Sequence, residues 1–247
     1  MALSHSPSIV IDGLVVHVDA GNIKSYPGSG TTLKDLSKNG YDLSTAGTLN
    51  TSNDASAGTI YDHNGSSIIQ TATFTPISSS TWSIIWWIRS TGAPPSNYRA
   101  IIRLKDSNSG TGSNYPGYYW GTDNRTTTNS YIHEYQKAWN GTDNQTTWSA
   151  GNIVGTADWG SQAWFCCGVS HNKPAGGNGV FKNYANGSLQ TTRTNTLPYA
   201  YGGINQLIFN VSSGNSVYMG VVSLYDRVLT DSEFEQNFNA FKGRYGL

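Results

Sequence analysis

The end of the chain constrains the fold most: a strand apolar on both faces runs at once into a capped amphipathic helix. From Val217 to Tyr225, alternation puts Val217, Met219, Val221, Ser223 and Tyr225 on one face. Tyr218, Gly220, Val222 and Leu224 take the other. Both faces are apolar, so this strand is expected in the middle of a sheet. Thr230 is placed to cap the helix with its hydroxyl, and Glu233, three residues on, to reach back to the cap amide. Leu229 and Phe234 stand at the staple positions, and Phe234, Phe238 and Phe241 recur at helical spacing on one face. Lys242 suits the negative end of the helix dipole, and Gly243 is expected to end the helix in the left-handed region.

The remainder reads as short strands and turns. Trp82, Ile84, Trp86 and Ile88 form one bulky apolar face, while Ser83, Ile85, Trp87 and Arg89 form the other. Trp87 and Arg89 either line an open groove or pack beneath a loop. Residues 98–104 are expected to return beside that strand as a hairpin. A first strand within 9–20 places Leu14, Val16 and Val18 opposite Val15, His17 and Asp19. His17 is read as structural, near a sheet surface. Short strands flank an Asn64-Gly65 turn, another runs from Gln162 to Ser170, and Asn186-Gly187 is the strongest two-residue hairpin signal. The last strand before the terminal unit falls at 206–211. A dozen or so short strands and one helix predict an all-β fold: an antiparallel β-sandwich of jelly-roll type with one short C-terminal α-helix. At 247 residues, a single domain over 1–247 is expected.

Charge and composition remove several functions. Charged residues make up 12% of the chain, about half the usual ~25%, and formal net charge is zero. No field draws in nucleic acid or an anionic membrane. The longest apolar run, Ile84 to Ile88, falls far short of the ~20 residues a membrane helix needs. The N-terminus lacks both the basic and the apolar segment of a signal peptide, so synthesis in a host cytoplasm without Sec export is expected, wherever the protein then works. Cys166 and Cys167 are adjacent within a strand, point to opposite faces, and are expected as buried reduced thiols.

Enzyme chemistry fails at the motif level. Retaining and inverting glycosidases need two carboxylates flanking one bond, and no Glu-x-Asp-x-x-Glu cluster exists. Glu134, Glu233 and Glu235 are the only glutamates, and two of them lie on the terminal helix. There is no Gly-x-Ser-x-Gly elbow, His133-Glu134 lacks a second zinc histidine, and Gly110 to Ser113 lacks a P-loop lysine. Asp35, Asn39 and Asp42 offer oxygens suited to Ca²⁺, but without EF-hand spacing, and turn formation explains them better. No cofactor is assigned.

Residues 120–127 and 139–147 share a vocabulary: Trp120, Asp123 and Asn124 recur as Trp139, Asp143 and Asn144, with Trp148 just behind. The copies read as two hairpin ends of one meander. Tyr115, Tyr118, Tyr119, Tyr131, Tyr135 and Trp159 crowd the same region. Aromatic faces beside planar amides and carboxylates suit a sugar ring, a protein partner or plain packing, and all three stay open. Trp120, Asp123, Asn124, Trp139, Asp143, Asn144 and Trp148 are the candidate ligand or partner residues.

Several segments carry a resemblance. Residues 13–22, 82–88, 162–165, 184–187 and 222–233 resemble the successive signatures of concanavalin A-like, laminin-G-type jelly rolls, over nearly the whole chain. Residues 13–22 and 25–32, paired with the closing stretch 237–246, are similar to virion proteins of tailed phages. Leu33 departs from that pattern, which carries Trp, and the aromatic middle section has no counterpart in it. The resemblance implies a virion surface protein, as head decoration, fibre or tail adhesin. It implies a symmetric homo-oligomer that contacts other virion proteins. The alternative is a lectin-like adhesin module that recognises host or environmental glycans.

Overall fold

The computed structural model describes residues 7–63, 68–75, 77–78, 80–92, 99–107, 117–123, 131–139, 144–152, 162–175, 177–195, 203–209 and 217–247, with backbone alone at 99, 119, 121–123, 131–139, 144–152 and 195. Two sheets form. The first runs β14 (Ser188–Asn195), β13 (Gly179–Ala185), β12 (Trp164–Asn172), β7 (Thr81–Ser90), β16 (Val217–Tyr225), β5 (Gly58–Asp62), β4 (Thr51–Asp54), with β1 (Leu14–Val18) also on β16. The second runs β11 (Asn144–Asn152), β10 (Tyr131–Trp139), β9 (Gly117–Asp123), β8 (Arg99–Asp106), β15 (Ile204–Phe209), β6 (Ile69–Thr71), β3 (Leu43–Ser44), β2 (Thr32–Leu33). The pairings in both are antiparallel. The expected β-sandwich with one C-terminal helix, α1 (Asp231–Phe241), is the observed architecture.

The core lies between the sheets and is densest around tryptophans. Trp82 and Trp86 project inward from β7 and meet Trp120 of β9 at centroid distances of 5.7 and 5.6 Å. Tyr118 packs 4.7 Å from Trp82. All four rings are essentially inaccessible to water. Rings of this size bury about 150–250 Å² each, so the site where they meet contributes heavily to the apolar free energy of the sandwich.

A second core lies on the outer face of the first sheet, beneath α1. Trp87 stacks on Tyr245 at 4.2 Å and on Phe238 at 5.7 Å, and Tyr184 stacks on Phe234 at 3.7 Å. Trp87 therefore packs under the terminal segment and lines no groove. The capping box forms as expected: the Glu233 amide donates to Thr230 Oγ1 and the Thr230 amide to Glu233 Oε2. The helix ends differently. Lys242 is the C-cap in right-handed conformation, and the left-handed glycine is Gly246 rather than Gly243. Cys166 faces the outer core and Cys167 the inner one, both as buried free thiols.

The chain's two ends meet. Val16 and Val18 pair with Leu224 and Val222. Arg244 Nη1 donates to both Asp19 oxygens, at 2.9 and 2.7 Å, and its Nε donates to the Ala57 carbonyl. Asn237 Oδ1 accepts from the Val10 amide, and Tyr225 Oη donates to the Val10 carbonyl. Against β7, β16 bulges between Met219 and Val222, and the Val221 amide finds Tyr245 Oη at 3.0 Å instead of a ladder partner. Only glycine fits at 220, because a Cβ there would overlap the Tyr245 hydroxyl.

Two expected hairpins are absent. Residues 99–106 do not return beside β7, whose edges are taken by β12 and β16; they enter the second sheet between β9 and β15. Likewise β5 and β6 belong to different sheets, and the Asn64-Gly65 turn lies outside the described residues. The Asn186-Gly187 hairpin does form: φ is 49° and 79° at its two residues, the signature of a type I′ turn joining β13 to β14. His17 sits buried in β1, with Nδ1 2.8 Å from Ser223 Oγ. Burial lowers its pKa, against the opposing pull of Asp19 and Asp35.

Candidate functional site

The aromatic meander does not bring the sequence-predicted residues into one ring. Trp120 is fully buried among Trp82, Trp86 and Tyr118, so its candidacy as a ligand contact is corrected: it is core. The reason is alternation. Ile69, Phe209, Ile102 and Trp120 occupy one register row, and all four are buried between the sheets. Asp123 pairs with Tyr131 at one end of β10, and Trp139 pairs with Asn144 at the other. The nine residues of β10 set those ends about 27 Å apart. Asn124 and Asp143 lie outside the described residues.

Trp148 belongs to a different row. Ser44, Gln70, Ile208, Arg103, Tyr119, Tyr135 and Trp148 are successive register partners across the second sheet. This row alternates with the core row, and cross-strand partners share a face. Gln70 is solvent-exposed on the outer face, while Ile208 and Arg103 are buried.

An open groove of about 850 Å³ begins at the Gln70 end of that row. Its described lining includes Ser44 and Thr45 from β3 and its turn, Gln70 and Thr73 from β6 and beyond, and Gln206 from β15. Ile68 adds an apolar spot that is 48% exposed. Gln206 is held in place: its Nε2 donates to the Thr71 carbonyl at 2.7 Å, and Thr71 Oγ1 accepts from the Leu207 amide at 3.1 Å. Among the described residues, none lining the groove is ionisable. Hydroxyls and primary amides both donate and accept, so such a wall matches a polyhydroxylated ligand better than a charged one. Sequence reasoning missed these residues, since no motif marks them. The available signal was the alternation Ile68, Gln70, Ala72, which turns three residues outward.

A smaller groove of about 520 Å³ opens beside β1, with Ile11, Asn39, Tyr41 and Asp226 among its lining. The oxygens near it that suggested Ca²⁺ are engaged in turns. Asp35 Oδ1 accepts from the His17 and Ser37 amides, and Oδ2 from the Tyr41 amide. Asp42 takes the Asp35 amide and Lys34 Nζ. Among the described residues, no group of three or more His, Cys, Asp and Glu is placed to hold a metal ion. The glutamates are dispersed. Glu233 is bound to Arg227 at 2.6 Å, Glu235 is exposed on α1, and Glu134 lies in β10 opposite Trp120.

These features define an antiparallel β-sandwich closed by its own termini, with one outer face packed under a helix and the other carrying an uncharged polar groove. No protein-family model matches the sequence, and no curated protein does. Solved structures do share the fold. The binding domain of Paraclostridial Mosquitocidal Protein 1 aligns with a TM-score of 0.64 at 17% identity, over 94% of this chain and 53% of that one. The botulinum neurotoxin serotype D ligand binding domain in complex with N-acetylneuraminic acid aligns with 0.61 at 13%, over 93% and 51%. The botulinum neurotoxin type G receptor binding domain aligns with 0.59 at 16%, over 92% and 51%. Identities this low establish a common fold, and the chain spans about half the length of each of these structures. All three are named as binding domains rather than as catalytic ones.

Proposed function

We propose that this chain is a non-enzymatic, glycan-binding module of the adhesin type, and that the groove on the outer face of its second sheet is the binding site. The observation that carries the reading is the groove's wall. It holds hydroxyls and amides from three strands, one of them fixed by the Gln206–Thr71 bond, and one exposed isoleucine for the apolar face of a sugar ring. Support comes from the fold, which is shared with domains named for receptor or ligand binding, one of them solved with a sialic acid. The match spans half of that domain, so its ligand is not transferred to this groove. The row from Gln70 to Trp148 crosses five strand spacings, about 24 Å, enough for an extended oligosaccharide.

A virion-surface setting for this module rests on the resemblance of the two terminal stretches to tailed-phage proteins, and the binding reading does not depend on it. A glycan array probed with the whole chain tests the reading. Wild-type protein is expected to retain a defined set of glycans, and the Thr45→Ala/Gln70→Ala variant to bind them about tenfold more weakly through loss of one to two hydrogen bonds. Trp148→Ala then reports whether the meander end of the row takes part. No retained glycan, or one retained equally by the double variant, would overturn the assignment.

A further inference from the structure

Strand β1 pairs with β16 on one side, and side chains of residues 35–39 cover its other side in place of a strand. The His17 amide donates to Asp35 Oδ1 at 2.9 Å, the His17 carbonyl accepts from the Leu36 amide at 2.7 Å, and Ser37 Oγ donates to the Val15 carbonyl at 2.9 Å. Asn39 completes the cover: its Nδ2 donates to the Leu14 and Val15 carbonyls at 3.0 and 2.9 Å. That last stitch depends on residue 39 carrying an amide, because a carboxylate only accepts.

Asn39 is followed by Gly40, and an Asn-Gly pair has chemistry of its own: with no side chain in the way, the glycine nitrogen can reach the asparagine side-chain carbonyl carbon. Three such pairs lie among the described residues, at 39–40, 178–179 and 186–187. Two are locked. Gly179 is buried in β13, where a Cβ would come 2.7 Å from His171 Nε2. Gly187 lies against α1, with Phe238 Cβ and Glu235 Cα 3.0 and 3.2 Å from the position of a Cβ, and Asn186 is tied to Cys166 through both its amide and its Oδ1. Gly40 differs. It and Asn39 are exposed, nothing lies within 4 Å of the position of a Cβ, and among the described residues no group accepts its N–H.

We propose that Asn39 is a self-modification site, at which the chain converts its own amide to a carboxylate and so loosens β1. The Gly40 nitrogen attacks Asn39 Cγ, the new C–N bond closes a succinimide ring, and the Cγ–Nδ2 bond breaks to release ammonia, which carries off the Gly40 amide proton. Water then opens the ring at either carbonyl, leaving Asp or isoaspartate. Water is consumed and ammonia released in equal amounts, and no other reactant is needed. Ring closure requires Asn39 to leave the Leu14 and Val15 carbonyls, and local openings of exposed loop contacts cost little. The product cannot re-form the stitch, since its carboxylate would face two carbonyl oxygens. The change is irreversible and falls on the strand that joins the start of the chain to its end.

Incubation of the full chain at mildly alkaline pH, with peptide mapping that separates Asp from isoaspartate, tests this. Relative to urea-unfolded chain, folding is expected to slow conversion at Asn178 and Asn186 at least about tenfold and to leave Asn39 within about threefold. Asn39→Asp installs the product's charge without the reaction, and is expected to speed hydrogen exchange at the His17 and Leu36 amides about tenfold. Protection of Asn39 as strong as that of Asn178 and Asn186, or unchanged exchange at His17 and Leu36 in Asn39→Asp, overturns the inference.

Discussion

The two outer faces of the sandwich use opposite side chains. On the first sheet, Trp87, Trp164, Tyr184 and Tyr245 are each 3% exposed or less, stacked under α1 and the terminal turn. On the second sheet, the open groove is walled by Ser, Thr and Gln, and among the described residues its one large apolar contact is Ile68. Rings cluster where another part of the same chain covers the sheet, because stacking there removes the most apolar surface from water. Among the described residues, aromatic density thus marks closure, and the open groove is marked by short polar side chains. The meander repeats the lesson, since Trp120 serves the inner core.

The contrast is sharpest between Trp120 and Gln70. Trp120→Ala empties a site walled by Trp82, Trp86 and Tyr118 and is expected to lower unfolding free energy by about 3–5 kcal/mol. Gln70→Ala, exposed on the groove, is expected to stay within about 0.5 kcal/mol of wild type. Urea unfolding followed by tryptophan fluorescence reads both. A Trp120→Ala protein as stable as wild type would return that ring to the list of ligand contacts.

Local chemistry was legible in the sequence, and long-range partnership was not. The Thr230–Glu233 box, the Asn186-Gly187 turn, the twin-faced β16 and the opposed cysteines follow from neighbours within a few residues. Which strand lies beside which does not. β7 and β8 are consecutive, yet each edge of β7 is filled from more than 70 residues away, so the chain crosses to the other sheet. Of the candidate site, β9, β10 and β11 do form a meander, as the two copies suggest, but its successive hairpins fall at opposite ends of β10. The groove escaped notice for the same reason: Ser44, Gln70 and Gln206 converge only through the order β3, β6, β15.

The closed face depends on one more contact than stacking. Asp19, buried to 4% exposure, is neutralised by Arg244 at 2.7 Å, and Arg244 also satisfies the Ala57 carbonyl. Arg244→Met keeps the stem that packs beside Tyr245 but strands the carboxylate, and about 3 kcal/mol of stability is expected to go with it. Asp19→Asn/Arg244→Met should recover part of that loss, since it removes the orphaned charge. Equal stability of the single and double variants would mean that the tail is held by its rings alone.

The smallest expected effect concerns acid. Glu233 is held down to about 2, first by its hydrogen bonds from Arg227 and then by those of the cap, against an ordinary value of 4.5. A carboxyl whose folded pKa lies below its unfolded one stabilises the fold above the unfolded value, and that contribution is lost as pH falls from about 4.5 towards 2. Glu233 is partly open to solvent, so the loss is modest and screened by salt. Glu233→Gln is therefore expected to start less stable at neutral pH and to lose less between pH 5 and 3 than wild type does, as read by thermal melts across that range. Parallel melting curves for the two proteins would show that the box anchors α1 by geometry alone, and that the helix-covered face owes its acid sensitivity to another group.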